Sequence, residues 1–213
     1  MKIKVFAALI GLVVFSASSA FAGWTFELQT GSAYSFPMWM KIQQYGEEDI
    51  ELTGEYETRP WNHLAPYYDL RVGKWDGDSA WEFESLHHKV FLKNKPEEVE
   101  AFNISHGYNM NMVNRAYKVD GFIYRFGGGI VMTHPETTIR GREWEDEGGV
   151  NGFYISGICG QGAVQKRFSM GSNWFFSLEA KLTAADAIIP VAGGEAHVPN
   201  VALHGLFGVG YDL

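Results

Sequence analysis

The chain has 213 residues, 46% hydrophobic and 20% charged, with 25 glycines, a single cysteine and a formal net charge of −8. That length suits one domain with a closed core or barrel, and the acidic balance argues against nucleic acid or a general anionic surface as partner. Cys159 alone excludes an internal disulfide framework, and no run of 18 apolar residues after position 22 supplies a spanning helix.

Residues 1–22 carry Lys2 and Lys4, an apolar run over 5–15, and small residues ending Ala20-Phe21-Ala22. This pattern predicts a secretory signal peptide cleaved after Ala22; the apolar run is shorter than the roughly 20 residues that a membrane anchor needs. The expected mature domain is 23–213, and losing Lys2 and Lys4 takes its charge from −8 to −10. No cysteine directly follows the cleavage site, so a lipoprotein is not expected. If such a chain is membrane-embedded it must close into a barrel, since only helices and closed barrels satisfy every backbone polar group in hydrocarbon.

Alternation at a period of two recurs along the rest of the chain in segments of about ten residues, the signature of a transmembrane β-barrel. Segment 24–32 sets Phe26 and Leu28 against Thr25, Glu27 and Gln29; a short one follows at 38–44, then the turn Gly46-Glu47-Glu48. Segment 49–59 sets Ile50, Leu52, Gly54 and Tyr56 against Glu51, Thr53, Glu55, Glu57 and Arg59, and 66–74 sets Tyr68, Leu70 and Val72 against Asp69, Arg71 and Gly73. In 80–92, Trp81 and Phe83 oppose Glu82 and Glu84, with the alternation lost around His87-His88, where a bulge is expected. The sixth segment sets Phe102, Ile104, His106, Tyr108 and Met110 against Asn103, Ser105, Gly107, Asn109 and Asn111; the seventh, 121–133, sets Phe122, Tyr124, Phe126, Ile130 and Met132 against Ile123, Arg125, Gly127, Gly129 and Thr133. The eighth, 150–165, has no clear facing, whereas 174–183 sets Trp174, Phe176, Leu178, Ala180 and Leu182 outward and Phe175, Ser177, Glu179, Lys181 and Thr183 inward.

The tenth segment ends the chain, with Val201, Leu203, Phe207, Val209, Tyr211 and Leu213 on one face and Ala202, His204, Leu206, Gly208, Gly210 and Asp212 on the other. An aromatic two residues before an apolar last residue resembles the C-terminal assembly signal of bacterial outer-membrane β-barrels. That resemblance implies the outer membrane as location and the barrel-assembly machinery and outer-membrane lipid, lipopolysaccharide included, as partners. The expected fold is therefore an all-β, antiparallel up-and-down transmembrane barrel of ten strands, with eight as the alternative if the early short segments form a cap. Connections at 45–48, 75–79, 112–120 and 167–172 would share the periplasmic end, and those at 134–149 and 187–199 the outer end. The competing reading is an exported soluble sandwich with an aromatic core.

On this parity Glu51, Glu55, Glu57, Arg59, Asp69, Arg71, Glu82, Glu84, Arg125, Glu179 and Lys181 share one narrow lumen, where pairing is required to offset the cost of burial. The candidate binding set is Glu57, Arg59, Arg71, Arg125, Glu179 and Lys181. Near the outer rim, His204 and His88 are candidate general bases, with Thr183 and Ser177 as candidate nucleophiles. The run Tyr56-Glu57-Thr58-Arg59-Pro60-Trp61, with Lys74-Trp75-Asp76 and Trp81, resembles the lipid A palmitoyltransferase, an outer-membrane barrel that remodels lipid A. That family's Asp-Ser pair has no counterpart where this chain reads Val90-Phe91-Leu92, and the His-x-Ser of the related deacylase is absent from the strands. The resemblance therefore implies architecture rather than chemistry. The leading functional reading is a structural envelope barrel that binds a ligand or lipid at its outer rim; the alternative is an acyltransferase or acyl hydrolase acting on lipid A. No cofactor or metal is expected: His87 and His88 point to opposite sides of a strand, and His134-Pro135-Glu136 with the acidic run Glu143, Glu145, Asp146 and Glu147, which could hold a calcium ion on the outer loop, reads first as a charged surface loop.

Overall fold

The computed structural model describes residues 23–61, 66–145 and 152–213, so the expected leader and its cleavage site lie outside the described residues. Fourteen strands and no helix occur among the residues described. In chain order they are β1 (Trp24–Ser35), β2 (Met38–Gln44), β3 (Ile50–Gly54), β4 (Tyr56–Glu57), β5 (Tyr68–Asp76), β6 (Ser79–Leu92), β7 (Val99–Val119), β8 (Phe122–Thr133), β9 (Glu136–Ile139), β10 (Arg142–Trp144), β11 (Tyr154–Gly171), β12 (Trp174–Val191), β13 (Gly194–His197) and β14 (Asn200–Asp212).

Strand β1 pairs antiparallel with β14 on one side and β5 on the other, and the ladder continues β5–β6–β7–β8–β11–β12–β14. The hydrogen bonds thus return to their starting strand, and a sheet closed in this way has no free edge. Eight strands take part in the ring, fewer than the ten segments read from the sequence. The two that do not are 38–44 and 49–59. Their strands β2 and β3 form a hairpin that pairs through β13 with the upper end of β12, while the two-residue β4 pairs with β6. The other short strands, β9 and β10, extend the wall from β7.

The two ends of the ring differ. At one end lie both ends of the described domain, tied by Gly23 N to Leu213 O at 2.9 Å and Leu213 N to Trp24 O at 2.8 Å, together with three tight turns. Two of these, Asp120-Gly121 (φ 50° and 75°) and Ser172-Asn173 (φ 47° and 68°), have both central residues left-handed. This is the type I′ geometry whose twist matches that of the flanking strands. The expected connections at 112–120 and 167–172 are mostly strand, because β7 and β11 run on to Val119 and Gly171. Among the described residues the long connections meet at the opposite end, 134–145 and 187–199 among them. The 45–48 turn lies there too, as the tip of the β2–β3 hairpin, with Tyr45 N bonded to Gly193 O at 2.8 Å. Strand counting places that turn at the tight-turn end; because the hairpin leaves the ring, its direction is reversed.

The facing of β12 separates a barrel from a soluble sandwich. Leu178 and Leu203 are 47% and 49% exposed, whereas Glu179 and Lys181 beside them are 5% and 1% exposed. The apolar set continues around the outside with Phe26, Leu28, Leu70, Phe83, Val113, Phe126, Phe207 and Val209, all exposed. Toward the tight-turn end it gives way to aromatic rings with cations over them: Lys74 over Trp24 at 5.6 Å, Arg115 over Trp81 at 5.3 Å and Lys166 over Phe122 at 4.6 Å. One expected face is reversed. Phe102, Ile104, Tyr108 and Met110 of β7 point inward and are fully buried, as are Leu86, Val90, Met40 and Ile42. The reason is that the loop end of the ring is roofed by the β2–β3–β13 sheet, so its interior is dry and apolar. A register shift between His88 and Val90, opposite Gly107 (φ 126°), marks where the wall enters this zone.

A sealed ionic lumen as the candidate functional site

Below the apolar zone, inward positions of seven ring strands, β7 among them through Asn114, converge on three buried cations. Strand β5 contributes Asp69 and Arg71, β6 Glu82 and Glu84, and β12 Glu179 and Lys181; β1 adds Glu27, β8 Arg125, and β11 Gln161, Gln165 and Arg167. The Arg71 guanidinium donates through Nε to Glu84 Oε2 (3.0 Å), through Nη1 to Glu27 Oε2 (3.0 Å), and through Nη2 to Asp69 Oδ2 (3.1 Å) and Glu179 Oε1 (2.9 Å). Arg125 donates to Glu82 Oε2 (2.6 Å), Glu179 Oε2 (3.0 Å) and Gln165 Oε1 (3.0 Å). Lys181 Nζ bonds Asp69 Oδ2 at 2.5 Å and also Glu84, with Glu179 Oε1 at 3.2 Å. Amide side chains fill the remaining positions: Gln165 donates to Glu27 Oε1 (2.6 Å), and Gln161 and Asn114 donate to Glu84 Oε2 (2.9 and 2.8 Å).

The three central cations and their five carboxylates are at most 2% exposed at the side chain. Charges so deeply withdrawn from water persist only when mutual attraction and hydrogen bonds replace hydration, which this network provides. The terminal strand makes room for it. Gly210 faces the Phe175 ring and Gly208 faces Gln29, and a Cβ at either position would collide with that neighbour.

A second polar layer lies between the charges and the apolar zone. His204 Nε2 meets Thr183 Oγ1 at 2.8 Å, and its Nδ1 meets the Tyr67 hydroxyl at 2.5 Å. His88 lies with its ring 5.2 Å from that of His204, its Nε2 3.3 Å from Ser35 Oγ, which also accepts from Asn200 Nδ2 at 3.0 Å. A hydroxyl, an imidazole and an orienting phenol in line are the parts of a nucleophile–base pair. Here all of them are buried, and His87, on the other face of β6, stacks on Tyr68 and bonds Asn109 instead.

The structure therefore brings together His204, His88 and Thr183, and separately Arg71, Arg125, Glu179 and Lys181. Ser177 is not with the histidines: it lies six residues, roughly 20 Å, down β12 from Thr183 and accepts a bond from Gln29 at 3.1 Å. Glu57 and Arg59 are outside the lumen, half-exposed at the loop end, where they pair with each other and Arg59 stacks on Phe91 at 4.7 Å. Glu51 and Glu55 are likewise outside, pairing with Lys41 (3.5 Å) and Lys93 (3.8 Å). The alternation of 49–59 holds, but with the opposite facing: Ile50, Gly54, Tyr56 and Thr58 are buried while Glu51, Thr53, Glu55 and Arg59 are exposed, because this segment covers the loop end instead of joining the ring. Glu27 was missed as a site residue although strand parity reaches it, and Gln161 and Gln165 were missed because the sequence leaves the facing of their segment open. Tyr67 lies just before β5 but inside the 66–74 segment, on the same parity as Asp69 and Arg71, and was missed because only the charged residues of that face were taken as lumen candidates.

Among solved structures, the chain is similar to Ail, the attachment invasion locus protein of Yersinia pestis, at 8% identity over 88% of this chain and 99% of that one (TM-score 0.43). It is similar to the outer membrane protein AlkL, solved in DMPC lipid bilayers, at 10% identity over 93% and 95% (TM-score 0.48). It is also similar to the outer membrane protein OprG from Pseudomonas aeruginosa, at 12% identity over 88% and 96% (TM-score 0.45). These likenesses concern the fold alone. No protein-family model matches the sequence, and no curated protein matches it.

Proposed function

We propose that the chain is an exported outer-membrane barrel of eight spanning strands, freed of residues 1–22, with a permanently plugged lumen and its working surface at the outer rim. The observation that carries the reading is the alternation on β12, where exposed Leu178 adjoins buried Glu179 and Lys181. A wall that is apolar outside and ionic inside is stable where the surroundings are hydrocarbon. The aromatic and cationic band supports placing the tight turns at one interface and the long connections, on the far side, outward. The ion network argues against a pore. At the roofed end, exposed Trp39, Tyr45 and Trp61, with the Glu57–Arg59 pair, offer aromatic and guanidinium contacts suited to lipid or lipopolysaccharide. The test is electrical: reconstituted in planar bilayers, the protein is expected to give no steady conductance, and uniform ohmic channels would overturn the plugged reading.

A second reading, acyl transfer or hydrolysis on lipid A, is favoured by one observation, the contact of Thr183 with His204 backed by Tyr67. Lipid A from cells expressing the protein or its Thr183→Val variant, weighed by mass spectrometry, decides between the readings. A change in acyl number that requires Thr183 supports the enzyme; identical lipid A in both, and in cells without the protein, removes it.

A further inference from the structure

We propose that His106, His134 and Glu136 form a binding site for one divalent transition-metal ion, zinc by donor type, on the outer side of the loop end. The three residues come from separate places in the wall, β7, the β8–β9 connection and the start of β9, and the fold brings one ligating atom of each within 4.8 Å of the others. Two imidazoles and one carboxylate are the donor set that zinc takes in open, three-ligand sites, leaving a fourth position for water or a bound group.

The geometry is close to what coordination requires. Donors at about 2.0–2.1 Å from a four-coordinate zinc lie roughly 3.3 Å from one another, so small rotations of side chains already within 4.8 Å bring them to the metal. His106 Nδ1 now contacts Glu136 Oε1 at 2.6 Å, and the two imidazole rings are 5.0 Å apart and inclined at 37°. The shell behind them is built. Ser105 Oγ donates to Glu136 Oε2 at 3.0 Å, which fixes the carboxylate and leaves its other oxygen for the metal. The Phe153 ring abuts His134 edge-on at 5.0 Å, and His134 N bonds Gly107 O at 3.3 Å, tying the connection to β7. Such supporting contacts normally hold ligand rings in place.

Access and charge agree with this assignment. His106 is half-exposed while His134 is buried, so the site opens outward on one side. Glu136 also lines a cleft of about 170 Å³ with Asn103, Thr138 and Trp144, and the charged residues around that cleft are Glu136, Glu143 and Glu145. A wholly acidic surround raises the local concentration of a divalent cation. The sequence singles out His134 and Glu136 only as part of a candidate calcium loop; His106 stands 28 positions before His134, and only the β7–β8 pairing and the β9 extension bring it to them.

The test uses the full mature chain, without a histidine tag, folded in detergent micelles and titrated with Co2+ as a spectroscopic stand-in for Zn2+. The expected result is one equivalent bound, with the visible bands of a low-symmetry four- or five-coordinate ion, displaced by Zn2+. His106→Ala, His134→Ala and Glu136→Gln are each expected to weaken binding by at least about tenfold, the loss typical even of supporting residues around a metal. His197→Ala, a histidine paired with Asp186 elsewhere on the roofed end, is expected to bind as the parent does. Thermal unfolding of each variant without metal separates loss of the site from loss of the fold, and Glu136→Gln keeps the side-chain size if His134→Ala fails to fold. No saturable binding, or binding unchanged in the His106 and Glu136 variants, would overturn the assignment.

Discussion

Lys181 has three carboxylates around its ammonium, and each of them also meets Arg71. Removing one member of such a buried set leaves the others uncompensated, at about 3–5 kcal/mol. Lys181→Met is therefore expected to lower unfolding stability by that amount in urea titrations in micelles or vesicles, and adding Glu84→Gln to recover part of it. A loss under about 1 kcal/mol would mean that the carboxylates are hydrated, and so that the lumen is open. Thr183→Val leaves the imidazole of His204 short of a buried partner, with an expected cost of about 1–3 kcal/mol. Asp69, Arg71, Glu82, Glu84, Arg125, Glu179 and Lys181 were legible from parity because each sits mid-strand in an unbroken alternation. Glu57 and Arg59 misled because the alternation of 49–59 turns its apolar side under the roof and its charged side to solvent, and Tyr67 was passed over although it shares the parity of Asp69 and Arg71.

Strand β7 illustrates how an element can be right while its facing is wrong. Its 21 residues serve two environments, a wall around an apolar interior from Val99 to Met112 and, beyond it, an apolar exposed wall around an ionic interior that Asn114 joins. Hydrophobic residues point inward in the first and outward in the second, so a single hydrophobic pattern has no fixed meaning along it. Met110→Ala, at a buried position, is expected to cost about 2–5 kcal/mol through the cavity it leaves. Val113→Ala, three residues away and on the exposed wall, is expected to cost far less; equal losses in urea unfolding would contradict an inward Met110 and an outward Val113. The hairpin of β2 and β3 is held at its surface by Lys41 Nζ to Asp49 Oδ2 at 2.6 Å. That bond raises the ammonium above its ordinary 10.5 and, with Gln43, lowers the Asp49 carboxyl below 3.8. Both partners are charged between these values, so the pair's contribution is level from about pH 4 to 10. It is lost as the pH falls through the lowered Asp49 value or rises through the raised Lys41 value. Amide exchange in the hairpin, corrected for the intrinsic rate, should show constant protection between about pH 5 and 8; a step inside that window would point to a different group.

At the scale of the whole molecule, the closed ring was legible as a class, since alternating segments at both ends of the chain and in between leave few other solutions. The number of its strands was not. The hairpin at 38–54 has the same period of two as a ring strand, and only pairing partners tell a roof from a wall. The asymmetry of the ends was half legible: the long connections cluster in the sequence reading too, but counting the hairpin as part of the ring sends the 45–48 turn to the wrong end. What the chain does depends on this whole-molecule arrangement, an ionic plug inside an apolar wall with a roofed end carrying the polar and aromatic contacts.

Nitroxide labels placed singly at Leu178, Leu203, Phe207 and Val113 in protein reconstituted into bilayers measure that arrangement most directly, by comparing relaxation by oxygen, which concentrates in hydrocarbon, with relaxation by a water-soluble nickel chelate. All four labels are predicted to be strongly relaxed by oxygen and hardly at all by nickel, and a label at Tyr45 on the roof to behave in the opposite way. Nickel access at Leu178 and Leu203 equal to that at Tyr45 would contradict a wall facing lipid, and with it the reading of the buried ions as a membrane barrel's plug.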